Sequence, residues 1–246
     1  ETGAISALKR KWHLETGKDL GLLNGLMFFA ALLVVVLLQS AANLVNDVKD
    51  AESGVDNEGR VGPLRVVQAG LLNKNVAKQA YKAMLFAGVA IGFILATYGG
   101  LELIGLALAS ALAAYLYTGG PKPLSHLGLG EVVALLFFGP VAVLGSAYLQ
   151  SLTWQWSDFV WSMGPGFLAA AVMAINNLRD RRGDKQVGKF TLAVALSDRQ
   201  GELLPMFFIS MSMLVFIAYA VVQDIWILGL ATSILMIKIL DLLIRP

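Results

Sequence analysis

Seven apolar stretches dominate this chain of 246 residues, at about Leu20–Leu44, Ala80–Tyr98, Leu101–Tyr117, Glu131–Leu149, Phe159–Ile175, Leu203–Val222 and Ile225–Ile244. Roughly 20 mostly apolar residues cross a bilayer as a helix, and in lipid the backbone must satisfy its own polar groups. The expected fold class is therefore all-α, a multi-span transmembrane helical bundle. Charge agrees, since only 15% of residues are charged against about 25% in a soluble domain. A single membrane domain over 1–246 is expected, with a polar leader at 1–19 and a seven-helix membrane region at 20–246. The leader is mixed in charge and lacks an apolar core with a cleavage site, so it does not read as a signal peptide. The absence of cysteine excludes disulfides, thiolate metal sites and cysteine nucleophiles. The net charge of +2 carries little information; no nucleic-acid partner and no obligate protein partner are expected.

The connections fall into two kinds. Ser40–Gln79 (helical at its beginning), Thr118–Gly130 and Asn177–Glu202 are long and polar, while Gly99-Gly100, Gln150–Asp158 and Gln223-Asp224 are short. Lys49, Arg60, Arg65, Lys74, Lys78, Lys122, Arg179, Arg181, Arg182, Lys185, Lys189 and Arg199 all lie in the long set. The positive-inside rule puts that set on the cytoplasmic side. Lys9, Arg10, Lys11 and Lys18 in the leader oppose this, unless the leader lies along the surface or follows a helix missing from the chain. Ending at Arg245-Pro246 directly after a span, the chain reads as a trimmed one. Pro140, Pro165 and Pro205 are candidate kinks or breaks within spans.

Two acidic clusters sit at the ends of apolar runs, Asn43-Leu-Val-Asn46-Asp47-Val-Lys-Asp50 and Asn176-Asn177-Leu-Arg-Asp180-Arg-Arg-Gly-Asp184. Carboxylates at the border of hydrocarbon are usually there for function. Asn43, Asp47 and Asp50 stand at i, i+4 and i+7 of a helix, and Asn176, Asp180 and Asp184 at i, i+4 and i+8, so each set shares a face. Two helices ending at one membrane surface would aim four carboxylates and several amides into one cavity. Oxygen ligands of this kind suit Mg²⁺ shared with substrate phosphates. The alternative for each acid is a solvated helix end paired with nearby cations. Glu52, Asp56 and Glu58 extend the first run, Asp56 within reach of the site and the two glutamates as solvated loop residues. Lys189 after Gly188 and Arg65 after Gly62-Pro63 are candidate phosphate contacts, or ordinary loop cations. Arg181 and Arg182 read as anchors to lipid headgroups. Tyr117 opens the third long loop and could face a carbocation or an aromatic ring, although an interfacial tyrosine is the plainer reading. His13 and His126 lie far apart, so a histidine metal site is not expected.

These motifs resemble the UbiA superfamily of membrane prenyltransferases, in which two aspartate-rich motifs close the second and sixth of nine helices. The resemblance rests on Asn46-Asp47-x-x-Asp50 and Asp180-x-x-x-Asp184. One branch, the 1,4-dihydroxy-2-naphthoate polyprenyltransferases of menaquinone synthesis, is similar over about Asn43 to Leu196. Its matching tracts include Arg60-Val-Gly-Pro-Leu-Arg65, Tyr117-Thr-Gly-Gly-Pro-Lys-Pro-Leu124, Gly128-Leu-Gly-Glu131, Phe137-Phe-Gly-Pro140 and Gly188-Lys-Phe-Thr-Leu-Ala-Val194. The seven spans fit the family's second to eighth helices, its first and last having no counterpart here. Ala195-Leu196-Ser197 stands where relatives usually carry a basic residue, Leu and Gly.

The resemblance implies Mg²⁺-dependent transfer of a polyprenyl group from a polyprenyl diphosphate to 1,4-dihydroxy-2-naphthoate, with decarboxylation, giving demethylmenaquinone. Asp47, Asp50, Asp180 and Asp184 would then be the catalytic metal ligands. Asn43, Asn46, Arg65, Tyr117, Asn176, Asn177 and Lys189 would bind substrate, and the long loops would serve as lids. The setting would be a bacterial or archaeal cell membrane, with the active-site loops on the cytoplasmic side. The bilayer, the diphosphate and an aromatic acceptor would be its partners. A sister activity on 4-hydroxybenzoate, haem, chlorophyllide or a glycerol phosphate lipid is the alternative. An ion-coupled transporter is a third reading, against which stands the clustering of the acids at one membrane face.

Overall fold

The computed structural model describes residues 20–53 and 65–244. The readings on the leader (Lys9, Arg10, Lys11, His13 and Lys18), on Gly54 to Leu64 (among them Asp56, Glu58 and Arg60) and on Arg245-Pro246 lie outside those residues. Each expected span is a helix: α1 (Leu20–Ser53), α2 (Lys74–Gly99), α3 (Glu102–Leu116), α4 (Gly130–Ser151), α5 (Trp156–Gln186), α7 (Asp198–Val222) and α8 (Trp226–Ile244). A single turn, α6 (Leu192–Ala195), precedes α7. Among the described residues, α1, α2, α4, α5 and α7 are long and apolar enough to cross a membrane. The 15 residues of α3 reach about 22 Å at 1.5 Å per residue, short of the roughly 30 Å hydrocarbon core.

Two helices outrun their apolar stretches. α1 continues from Leu44 to Ser53 and α5 from Ile175 to Gln186, so both acidic clusters are helical throughout. The helices packed against them, α2 and α7, are capped at their starts. Asn73 caps α2 by accepting from the Asn75 N–H at 2.8 Å. Ser197 caps α7 in a reciprocal box, its N–H donating to Gln200 Oε1 at 3.1 Å while its hydroxyl oxygen accepts from Gln200 N–H. A serine thus does structural service where the resemblance leads one to expect glycine.

Neighbouring helices pack in the order α1 on α2, α2 on α3, α4 on α5, α5 on α7 and α7 on α8. Contact between α4 and α5 is backbone to backbone. A Cβ on Gly139 would stand 2.7 Å from Ser162 O, and one on Gly166 2.7 Å from Leu135 O. Association in lipid rests on such close approach, because burial of apolar groups supplies little there. Ser212 ties α7 to α5 by donating to Gly164 O at 2.8 Å. Pro140 sits in a π turn of α4, Phe137–Val141, where the missing N–H is accommodated by widening the helix. Pro165 and Pro205 interrupt nothing, lying inside continuous helices. Phe28, Phe29, Leu32 and Val36 of α1 are exposed, an apolar outer face suited to lipid and out of place in water.

Candidate active site

Ala41, Val45 and Val48 of α1, at i, i+4 and i+7, are buried against Ala77 and Tyr81 of α2. That contact fixes the rotation of the last turns of α1, which carry Asn43, Asn46, Asp47 and Asp50. The chain then returns over them. Val67, packed into the same cluster, donates its N–H to Asp47 Oδ2 at 3.1 Å, and Arg65 Nη2 donates to Asp50 Oδ2 at 2.8 Å. Asn46 turns its carbonyl oxygen to the Arg65 guanidinium (3.1 and 2.8 Å) and its nitrogen to Asp50 Oδ2 (3.2 Å) and Thr118 Oγ1 (3.3 Å), the orientation that pairs every donor with an acceptor.

The second cluster closes in a similar way. Arg179 holds Asp180 by two parallel bonds of 2.8 Å. After α5, Gly188 adopts φ +72, a left-handed turn that glycine enters without strain. The reversal brings Lys189 back, its N–H to Asp184 O at 2.9 Å and its Nζ to Asp184 Oδ1 at 3.2 Å. The third long loop is stitched to this one by Gly128 N–H donating to Phe190 O at 2.9 Å. His126, in that loop, is held below its usual pKa by burial and by the nearby Lys189 ammonium, with Asp184 pulling the other way.

These elements surround a cavity of about 1490 Å³. Asn43, Asn46, Asp47, Asp50, Arg65, Tyr117, Asn176, Asn177, Asp180, Asp184 and Lys189, the residues expected to hold metal or substrate, line it. The remaining wall is largely apolar, with Ala31, Val34, Leu95, Leu106, Val141 and Leu149 among its residues. Sequence reasoning missed several lining residues. Arg182, read as a headgroup anchor, and Arg179 both face the cavity, as do His126, Ser125 and Met173. Tyr117 donates its hydroxyl to Met173 Sδ at 3.0 Å. Glu52, by contrast, lies outside the cavity among Lys49, Lys74 and Lys78, at 3.0, 3.6 and 2.6 Å.

The donor set fits a divalent cation. Asp47 is 4% exposed and Asp184 5%, and each has one buried carboxylate oxygen, Oδ1 and Oδ2 respectively, with no hydrogen-bond partner among the described residues. Leaving a buried charged oxygen unpaired costs about 1–3 kcal/mol or more, so a site keeping one in each motif is arranged for a cationic guest. All the available ligands are hard oxygens. Among the described residues no three carboxylate or histidine groups stand close enough to cage a metal by themselves. Mg²⁺ commonly takes one or two carboxylates and completes its shell with water and substrate phosphates.

Comparison with known proteins follows the same line. Residues 18–244 match the UbiA prenyltransferase family. The chain is 37% identical over 208 residues to a 1,4-dihydroxy-2-naphthoate octaprenyltransferase of Haemophilus influenzae, covering 82% of this chain and 68% of the relative. Proteins of the same name from Mycobacterium tuberculosis and Escherichia coli are 38% and 37% identical over 71% and 72% of this chain, and it spans 59% and 60% of their lengths. No solved structure matches. With nearly its whole length matched, and with apolar helices suited to an integral membrane protein, the chain belongs to the UbiA prenyltransferase family.

Proposed function

We propose that this protein transfers a polyprenyl group from a polyprenyl diphosphate to 1,4-dihydroxy-2-naphthoate, with loss of the acceptor's carboxylate, in menaquinone synthesis. One observation carries the reading: a single cavity joins both aspartate motifs and two loop cations to a long apolar wall. That combination suits a molecule with a diphosphate head and a hydrocarbon tail. The names of the relatives at 37–38% identity support the acceptor. In this reading the protein is one membrane domain in a bacterial or archaeal cell membrane, with the polar end of the cavity on the cytoplasmic side.

Asp47, Asp50, Asp180 and Asp184 would hold Mg²⁺, which supplies positive charge to neutralise the departing diphosphate. Arg65 and Lys189 donate to the diphosphate oxygens as well, exchanging Asp50 and Asp184 for the substrate when it enters. The allylic C–O bond breaks with its electron pair going to the diphosphate. The ring carbon bearing the carboxylate then forms the new C–C bond, and CO₂ leaves, returning its electron pair to the ring. The product is a prenylated naphthoquinol, the reduced form of demethylmenaquinone. Tyr117 offers its ring face to the positive charge of the allylic group. The apolar wall keeps out water, which would otherwise compete for that group.

Incubation of the purified protein with labelled geranylgeranyl diphosphate, with and without Mg²⁺, tests the reading. Beside 1,4-dihydroxy-2-naphthoate, parallel reactions would contain 4-hydroxybenzoate. Mg²⁺-dependent prenylation of the naphthoate alone is expected. Prenylation of the benzoate instead would move the protein to a sister activity, and Mg²⁺-independent binding without transfer to any acceptor would overturn the reading.

A further inference from the structure

One buried acid has no part in this account. Glu131, in the first turn of α4, is 1% exposed. Its Oε1 accepts from Asn177 Nδ2 at 2.9 Å, and its Oε2 is buried with no hydrogen-bond partner among the described residues. Glutamate is almost never buried so completely without a paired charge.

The contact with Asn177 gives it a role. Asn177 lines the cavity, whereas Glu131 does not. An amide presents a donor on one side and an acceptor on the other, and the Asn177 nitrogen is the side that meets Glu131. That leaves Oδ1 on the other. No described residue donates to that oxygen. The neighbouring Tyr117 hydroxyl is already engaged, donating to Met173 Sδ. Tyr117, Asn177 and Met173 also converge on one point: a Cβ on Gly130 would stand 3.1 Å from Tyr117 Oη, 3.4 Å from Asn177 Nδ2 and 3.5 Å from Met173 Cγ. This part of the cavity wall thus gathers the Tyr117 hydroxyl, the Met173 thioether and the Asn177 amide.

We propose that Glu131 is a positioning residue: by holding Asn177 Nδ2 it presents Asn177 Oδ1 to the cavity as the acceptor for a hydroxyl of the aromatic substrate. The inference rests on the prenyl-transfer reading and deepens it. A carbonyl oxygen there favours the hydroxyl edge of a hydroxylated aromatic acid and disfavours its carboxylate edge, so it sets how the ring faces the prenyl group. A phenolic hydroxyl that donates to an amide oxygen also gains electron density, which strengthens the ring as a nucleophile. Residue types alone could not reveal this pair, because Glu131 and Asn177 lie on different helices, 46 positions apart.

Calorimetry on the detergent-solubilised full chain tests it, with farnesyl thiodiphosphate and Mg²⁺ present and 1,4-dihydroxy-2-naphthoate as the titrant. Affinity for the thiodiphosphate and thermal stability are measured alongside. Glu131→Leu should weaken the naphthoate about tenfold, as the loss of one oriented hydrogen bond implies, and leave the thiodiphosphate affinity unchanged. 2-Naphthoate, which has no hydroxyl, should bind wild type and Glu131→Leu equally. Asn177→Asp should also weaken the naphthoate, since it removes the N–H that Glu131 accepts. The pair Glu131→Gln with Asn177→Asp should recover most of that loss, because the glutamine donates to one aspartate oxygen and leaves the other for the substrate. Wild-type naphthoate affinity in Glu131→Leu would overturn the inference. So would joint loss of naphthoate, thiodiphosphate and stability that the swapped pair fails to recover, which marks a purely structural residue. A wild type that does not bind the thiodiphosphate at all would overturn the prenyl-transfer reading itself.

Discussion

The end of α1 and the end of α5 bring the same residue types to one cavity, yet they hold their carboxylates in opposite ways. Each supplies one buried aspartate, Asp47 or Asp184, and one more exposed, Asp50 or Asp180. At α1 the described part of the returning loop gives the buried aspartate a backbone N–H, from Val67, and sends its cation, Arg65, to the outer Asp50. At α5 the returning cation, Lys189, goes to the buried Asp184, while the outer Asp180 is held by its own neighbour Arg179. Helical spacing places the aspartates, but the loops decide which oxygen stays open. Among the described residues, both deepest acids keep one open oxygen.

Removing the open oxygens should have the largest effect. Asp47→Ala and Asp184→Ala are each expected to lower kcat/KM for prenyl transfer by roughly 100-fold or more, the scale for losing a group that stabilises charge in a transition state. Asp50→Ala and Asp180→Ala should lose less, since their oxygens are already engaged by Arg65 and Arg179. Equal losses at all four positions would erase the distinction drawn between inner and outer acids.

The two loop cations should separate next. Lys189→Met and Arg65→Met are both expected to weaken diphosphate binding by about 10- to 100-fold, the worth of a charge-assisted bond. They should differ towards metal alone. Lys189→Met frees both oxygens of buried Asp184, so Mn²⁺ in the absence of substrate should bind it more tightly than wild type. Arg65→Met leaves Asp47 as it was and should gain less. Electron paramagnetic resonance of bound Mn²⁺ would report this, and the reverse order would break the comparison.

Backbone strain offers a smaller test. Gly188→Ala puts a side chain at φ +72, with no atom near enough to clash. The left-handed conformation alone costs about 1–2 kcal/mol. Gly70→Ala, at φ +71 in the first loop and equally free of neighbours, should cost the same in Tm. Only Gly188→Ala should also weaken diphosphate binding, because Gly188 directly aims Lys189 and Gly70 follows Arg65 and Val67. Smallest of all, Lys189→Met should raise the pKa of His126. Removing an ammonium favours the protonated ring, while the larger effect of burial remains and keeps the value low. A titration of the His126 ring protons by NMR would read the direction.

Much of this was legible in the sequence, and the gaps share a cause. Apolar runs located the seven long helices but not the single turn α6, because lipid demands continuous hydrophobicity. They missed where α1 and α5 end, since hydropathy marks where lipid stops, and the polar turns from Asn46 to Ser53 and from Asn176 to Gln186 remain helical beyond it. The face shared by Asn43, Asp47 and Asp50 followed from helical spacing alone. Arg182 could not be told from a headgroup anchor, because one basic side chain after a span suits either role. Glu131 was visible only as part of a family tract. Its burial and its bond to Asn177 come from the packing of α4 on α5, where Gly139 and Gly166 let the backbones meet. A lone acid at the start of an apolar run was the available signal.

The claim beneath all of this is that two distant motifs make one diphosphate site. Binding of farnesyl thiodiphosphate to the purified protein, measured by calorimetry with and without Mg²⁺, tests it most directly. One molecule per chain is predicted, dependent on Mg²⁺ and lost in either Asp47→Ala or Asp184→Ala. Two molecules per chain, or full affinity retained in one of those variants, would contradict it.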